Sequence, residues 1–216
     1  MIKKSIILIC NVMLIFLYNH NLPAGDTQID RRRLSDMSHH YLSKAPFALD
    51  FEIIQYTNEN DYQSLIGMFY MTGRDSFRAD IMDQEIIFDG DWLWSWDKET
   101  GQVIVEPLDP QSSLKFIFDM LRGNWESFIV NSVTSSQKDS ALTLELMTAD
   151  ENSFFKTIQL HISPVTNRLL SAMYIDFKNG KTEISFTKPQ TIEKKAAGQL
   201  FDTQRFESGE LIDLRP

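Results

Sequence analysis

Apolar and polar residues alternate through residues 47–106, and turn residues interrupt the alternation at short intervals. This period of two is typical of antiparallel strands that each bury one face. The predicted strands begin at Phe47 and continue at Gln63–Thr72, Ser76–Met82, Glu85–Phe88, Trp92–Asp97 and Gln102–Glu106. The alternation places three tryptophans on one face of a single strand. A sheet with this much apolar surface must be covered, or it must hold an apolar ligand.

Two helices are predicted beside these strands. The first covers Asp26–Ala45, where apolar residues recur at helical spacing, and Pro46 ends it. The second covers Ser112–Arg122 and is apolar around most of its circumference. A helix of that kind must be buried on more than one side or lie over an apolar surface.

The strand pattern returns after the second helix. Further strands are predicted at Ser127–Ser132, Leu142–Met147, Phe155–Ile162, Leu169–Phe177 and Thr182–Phe186, and the tail beyond them is weakly patterned. Ten or eleven antiparallel strands curl rather than stay flat. The predicted fold class is therefore mainly β (α+β), with helices over the apolar concave side of a strongly curved antiparallel sheet.

The N-terminus has the pattern of a secretory signal. Two lysines precede an uncharged run that is short for a membrane span, and we expect cleavage near Ala24. The alternative is an uncleaved membrane anchor. Small residues do not precede Cys10, so it does not indicate a lipidation site. We expect residues 1–24 to be the signal peptide and residues 25–216 to be a single domain.

The composition argues against most enzymes. The chain has a formal charge of −9, which disfavours nucleic acid and anionic lipid headgroups as ligands. Its four histidines are not arranged as a metal pair, which disfavours zinc. It contains no Gly-rich phosphate loop and no Gly-x-Ser-x-Gly motif. We expect no enzyme activity, no cofactor and no metal. The enzyme alternative is a hydrolase of envelope polymers that uses two carboxylates at strand ends.

Several motifs carry a family resemblance. In chain order they are Gly67-x-Phe69-Tyr70, Phe77-Arg78-x-Asp80, Ile87-x-Asp89-Gly90-x-x-Leu93-Trp94-x-Trp96-Asp97, Val103, the helix Leu114–Leu121 and Leu211-Ile212-Asp213-Leu214-Arg215. In this order the chain resembles the LolA family, the periplasmic carriers that take lipoproteins from the inner to the outer membrane of diderm bacteria. The resemblance covers most of the mature chain.

The resemblance implies both a fold and a function. The family fold is an unclosed β-barrel of about eleven strands, with helices as a lid over its apolar hollow. The implied partners are the acyl chains of lipoproteins, an inner-membrane lipoprotein-releasing transporter and an outer-membrane acceptor, and we expect a periplasmic monomer. The candidate acyl-chain-binding residues are Phe47, Leu49, Phe51, Leu65, Phe69, Phe77, Trp92, Trp94, Trp96 and Phe116.

One position departs from the family pattern. Family members often carry Arg-Pro in the turn after the Gly-x-Phe/Leu-Tyr/Trp strand, and that arginine holds the lid shut. Here the turn is Gly73-Arg74-Asp75 and lacks the proline. Arg74 is the nearest match for this lid latch, and Arg78 is its rival.

Two further alternatives concern the same fold. The chain could be a sensor domain that detects lipoproteins, or the aromatic residues could form a closed, dry core with no ligand. In a protein that binds a ligand the tryptophan face would line the binding site, and in the closed-core alternative it would belong to the core. An open apolar space under the Ser112–Arg122 helix is what a carrier predicts, whereas a filled interior argues against one.

Overall fold

A continuous curved sheet forms most of the protein. The computed structural model describes residues 28–58, 61–136, 141–148, 150 and 153–216. The predicted signal peptide lies outside the described residues. The strands are β1 (Phe47–Asn58), β2 (Asp61–Met71), β3 (Phe77–Ile81), β4 (Gln84–Phe88), β5 (Leu93–Asp97), β6 (Gln102–Glu106), β7 (Phe128–Ser136), β8 (Ala141–Thr148), β9 (Phe155–Ile162), β10 (Leu169–Asp176), β11 (Lys181–Phe186), β12 (Gln190–Thr191) and β13 (Glu210–Asp213).

The strand order leaves the sheet unclosed. Along the sheet the strands follow β13-β6-β5-β4-β3-β2-β1-β11-β10-β9-β8-β7, and β12 pairs with the start of β1. Every pairing is antiparallel except that of β13 with β6, which is parallel. The predicted fold class, a strongly curved and unclosed antiparallel sheet with helices on its concave side, is confirmed. It has two short strands more than the eleven expected.

Two of the helices lie on one face of the sheet, which we call the inner face. They are α1 (Gln28–Leu42) and α2 (Ser113–Arg122), and α1 packs against α2. Side chains from both helices and from alternate positions of ten strands, β1–β5 and β7–β11, share one core. The prediction that the second helix is buried on more than one side is therefore confirmed.

The sequence sets the ends of α2. The Ser112 hydroxyl accepts a hydrogen bond from the backbone N–H of Lys115 at 3.2 Å, which caps the first turn. Gly123 adopts a φ of 88°, and its N–H donates to the carbonyl of Asp119. A left-handed residue at this place is the usual end of a helix. The predicted helix Ser112–Arg122 is thus correct to within one residue.

A second, smaller core lies on the opposite, outer face. Ile87, Val103 and Val105 are buried there under Phe206. Phe206 belongs to a segment that we call the C-terminal strap, residues 190–213, which contains β12, α3 (Lys194–Leu200), a 3₁₀ helix (Thr203–Ser208) and β13. The strap is the part of the fold that the residue pattern did not predict.

Candidate functional site

The inner face carries most of the predicted acyl-chain wall. Seven of the ten candidates lie on this face or on α2 and belong to the inner core or pack against it, namely Phe47, Leu49, Phe51, Leu65, Phe69, Phe77 and Phe116. All of these except Leu65 are buried, and Leu65 is partly buried. The alternation along β1 and β2 brings them together, because every second side chain of a strand points to the same face. The result is a continuous apolar surface beneath α1 and α2.

In this structure, α2 itself fills the space over that surface. The Phe118 ring lies 5.0 Å from that of Phe77 and 5.8 Å from that of Phe88, measured between centroids. The Phe116 ring lies 4.9 Å from both Phe155 and Tyr174. A residual cavity of about 20 Å³ remains beside α2, which is room for about one water molecule and not for an acyl chain.

Among the described residues, the open space that a carrier predicts under this helix is therefore not present. The physical reason is that the aromatic side chains of α2 fill the space over the inner face. The inner face is therefore covered by α2, and a ligand could contact it only where α2 moved away.

The helices meet at a small polar junction. The Ser38 hydroxyl of α1 donates within its own helix to Leu34 at 3.1 Å and accepts from the Trp125 indole N–H at 3.0 Å. A Cβ on Gly123 would come within 3.0 Å of the Ser38 side chain. The close approach of α1 to the end of α2 therefore depends on a residue without a side chain.

One hydrogen bond ties α1 to the sheet. The Tyr41 hydroxyl donates to the carbonyl of Leu169 at 3.1 Å, and the ring is fully buried. Burial raises the pKa of the Tyr41 hydroxyl, so the group stays protonated and remains a donor. Beside α2, Ser113 and the hydroxyl of Tyr174 lie 3.0 Å apart.

A cleft of about 270 Å³ opens beside the helix junction, where α1, the β2–β3 turn and the chain leading into β7 meet. Its lining combines charged and apolar side chains from Arg31, Leu34, Ser35, Ser38, His39, Arg74, Gly123, Trp125, Glu126 and Phe128. Arg74 therefore lies beside α1 and α2. Within the described part of the chain it makes no hydrogen bond or ion pair, so this structure contains none of the bonds that a latch would need.

Arg78, the rival for the latch, lies on the outer face. Its guanidinium binds both carboxylate oxygens of Asp80 at 2.8 Å, and it lies 3.1 Å from Glu85. It also donates to the carbonyl of Leu200 in the strap at 3.1 Å. Arg205 of the strap contacts the same Glu85, and burial together with the charge of Arg78 lowers the pKa of Arg205. Arg78 thus holds the strap, and among the described residues it forms no hydrogen bond or ion pair with α1 or α2.

The three tryptophans also lie on the outer face. Trp92, Trp94 and Trp96 pack against the outer core, and the Trp96 ring is 5.7 Å from Phe206 of the strap. The sequence placed them correctly on one common face but left open which face that is. Because α1 and α2 cover the other face, these residues do not line the candidate acyl-chain surface.

The sequence did not predict the contacts that hold α1, α2 and the strap against the sheet. The roles of Ser38 and Trp125 depend on side chains that lie 87 residues apart in the chain. The strap buries isolated residues such as Ala197 and Phe206 without a repeating pattern. The Gly123-Asn124 pair, which marks the end of α2, was the one local signal for this junction.

Among the described residues, no helix has both the length and the apolar character needed to cross a membrane. In the same part of the chain, no three His, Cys, Asp or Glu side chains are grouped as a metal site would require.

The fold and the site define a class of protein: an unclosed β-barrel whose apolar inner face is covered by two helices. A family model described as "Outer membrane lipoprotein carrier protein LolA" matches residues 49–204. This match covers more than half of the chain. The chain belongs to the LolA family, a non-enzymatic binding and carrier fold.

Solved structures share the fold at low sequence identity. An uncharacterized conserved protein from Thermus thermophilus is 11% identical, with a TM-score of 0.52, over 84% of this chain and 98% of that one. A DUF1329 family protein from Desulfovibrio piger is 10% identical, with a TM-score of 0.51, over 84% and 99%. A LolA superfamily protein from Nitrosomonas europaea is 12% identical, with a TM-score of 0.47, over 81% and 98%. No curated protein matches the chain significantly.

Proposed function

We propose that this protein is a periplasmic carrier that shields the acyl chains of lipoproteins on its inner face and transfers them toward the outer membrane. Its partners are the lipidated proteins themselves, an inner-membrane transporter that releases them and an outer-membrane acceptor. Family membership supports the carrier class. The observation that carries the proposal for this chain is the continuous apolar surface of β1, β2 and β3 beneath α1 and α2.

A carrier for acyl chains has a clear physical purpose. Each methylene removed from water is worth about 0.8 kcal/mol, so a lipoprotein with several acyl chains gains tens of kcal/mol from shielding. Such a molecule does not cross an aqueous compartment unprotected. The carrier needs to bind more favourably than water and less favourably than the acceptor.

Loading proceeds by exchange of apolar contacts. In the closed form Phe116 and Phe118 of α2 cover the wall, and acyl chains replace them when α2 moves outward. The exchange substitutes one apolar contact for another, so it costs far less than exposing the wall to water. When the chains leave, α2 returns to the inner face, which favours release to the acceptor.

A matched pair of variants on β2 tests the site. Leu65 is partly buried on the inner face, while its neighbour Ile66 is 65% exposed on the outer face. Losing part of a buried leucine contact is worth about 1 kcal/mol, so Leu65→Gln should weaken binding of a fluorescent fatty-acyl probe about fivefold. Ile66→Gln should leave probe affinity unchanged. Probe binding should also shift the emission of Trp125, which lies at the helix junction.

The filled interior is the observation that favours the alternative of a closed structural core. A folded sample with no saturable binding of the probe would establish that alternative and reject the carrier. Equal weakening by Leu65→Gln and Ile66→Gln would place the ligand elsewhere than on the inner face. A sensor domain of the same fold would bind the probe but would not pass it on to acceptor membranes.

A further inference from the structure

Four basic side chains converge at one end of α1. His40 and Lys44 come from the end of the helix and the residues that follow it, and Lys44 Nζ lies 2.9 Å from His40 Nε2. Arg168 comes from the turn before β10, and Lys188 from the segment between β11 and β12. Three separate parts of the chain therefore contribute positive charge to one rim of the barrel.

Backbone contacts hold these parts together. The residue after Arg168 is Leu169, whose carbonyl accepts from Tyr41, the neighbour of His40. The segment after Lys188 is fixed by the bond from Ile192 N–H to the Pro46 carbonyl, two residues beyond Lys44. These contacts bring the segments that carry Arg168 and Lys188 next to the end of α1.

The cluster lacks a partner of opposite charge. Among the described residues, none of its four members forms an ion pair, although the chain has 30 acidic residues against 21 lysines and arginines. The Nε of Arg168 is buried and has no hydrogen-bond partner in the described part of the chain. Burial lowers the pKa of His40, and the charges of Lys44 and Arg168 lower it further. Burial lowers the pKa of Lys44 as well, followed by the charges of Lys188 and Arg168.

We propose that His40, Lys44, Arg168 and Lys188 form a binding site for a phosphate-type oxyanion, carried either by free phosphate or by the headgroup of an anionic phospholipid. A phosphate group offers several acceptors to the planar fork of an arginine and to a lysine ammonium. It would also supply the negative charge that the cluster lacks.

The C-terminal end of α1 offers a simpler account for two of the four residues. Cations near a helix C-terminus are stabilised by the helix dipole. That account covers His40 and Lys44, but not Arg168 and Lys188, which come from other elements.

The first test uses the unmodified protein. The ring protons of His40 are followed by NMR through a pH titration, with and without inorganic phosphate. A bound anion favours the charged imidazole, so we expect phosphate to raise the His40 midpoint by at least about 0.5 pH units. The signal of His39, on the cleft side of α1, serves as the internal control.

The second test uses variants. Lys44→Ala combined with Arg168→Ala removes two charge-assisted contacts and should weaken phosphate binding at least about tenfold. Lys195→Ala, an exposed lysine on α3, changes the charge elsewhere and should have no effect. Flotation with vesicles of phosphatidylglycerol and phosphatidylcholine, compared with phosphatidylcholine alone, distinguishes a lipid headgroup from free phosphate.

The outcomes separate cleanly. Phosphate binding that the double variant loses supports the site, and vesicle binding lost in the same variant identifies the headgroup as its source. A His40 midpoint unmoved by phosphate, together with vesicle binding unaffected by the double variant, overturns the proposal. Acyl-probe binding should be normal in the double variant, so failure of this site is distinguishable from failure of the carrier function.

Discussion

Replacement of Glu85 by glutamine tests how the outer face is held. The Glu85 side chain is 3% exposed and faces Arg78 at 3.1 Å, Lys98 at 3.8 Å and Arg205 of the strap. Glutamine keeps the shape of the side chain but removes its charge. The substitution therefore leaves the buried guanidinium of Arg78, 7% exposed, and that of Arg205 without their shared counterion.

The contacts set the expected magnitude. Removing one member of a buried ion pair typically costs about 3–5 kcal/mol. Arg78 keeps its two contacts with Asp80, and Arg205 is 32% exposed, so both are partly compensated. We therefore expect Glu85→Gln to lower the free energy of unfolding by about 2–3 kcal/mol. For a chain of this size that corresponds to a fall in Tm of about 4–12 °C.

Urea denaturation followed by two signals provides the assay. Trp92, Trp94 and Trp96 lie beside the strap, so their fluorescence should change at lower urea than the far-UV circular dichroism of the whole sheet. Glu99→Gln makes the same change at an exposed position and should shift stability by less than about 0.5 kcal/mol. Equal denaturation midpoints for Glu85→Gln and Glu99→Gln would refute the reasoning.

Three further predictions concern the β2–β3 turn, the helix junction and the C-terminus. Arg74 makes no hydrogen bond or ion pair among the described residues, so Arg74→Leu should leave the fold, acyl-probe uptake and transfer of the probe to acceptor vesicles unchanged. Slower transfer by the variant would instead indicate that Arg74 acts as a latch in another state of the protein. Gly123→Ala should lower stability by about 1–2 kcal/mol in thermal unfolding, because its φ is 88° and the new Cβ would crowd α1. Gly198→Ala, where nothing lies within 4 Å, should not destabilise, and an equal loss at both glycines would contradict this. Hydrogen bonds from Arg215 lower the pKa of Asp213 to about 2. The stabilising effect of Asp213 should thus be present above about pH 4 and lost as the pH falls through about 2. Carboxyl NMR should show Arg215→Ala returning this pKa toward about 4, and an unchanged midpoint would rule out the pair.

The regular part of the fold was predictable because each strand buries one face. The alternation at Phe47, Leu49 and Phe51 predicted β1, and the apolar circumference of Ser112–Arg122 predicted α2. Both signals are local and repeat along the chain. The spacing of apolar residues in these segments therefore predicts which side chains the structure buries.

The strap and the faces of the sheet were not predictable in the same way. Phe206 and Ala197 are buried singly, and β13 joins the sheet by parallel pairing of four residues. Neither feature leaves a period in the sequence. The alternation around Trp94 and Trp96 is the same whether that face is inner or outer. A period of two separates the two faces of a strand but does not show which face is inner. The contacts of Arg78 were not predictable either, because its partners Glu85 and Leu200 lie on other elements of the fold.

Two parts of the chain cover the sheet, α1 and α2 on the inner face and the strap on the outer face, and different interactions hold them in place. On the outer face, Arg78 and Arg205 fix the strap through a buried carboxylate, and an apolar ligand offers nothing to replace such contacts. On the inner face, α2 is held mainly by Phe116, Phe118 and their apolar neighbours. Its one side-chain hydrogen bond to the sheet, among the described residues, joins Ser113 and Tyr174. An acyl chain can substitute for apolar contacts at little cost but cannot substitute for an ion pair. The helix α2 on the inner face, and not the strap on the outer face, is therefore the element that the proposed acyl ligand would displace.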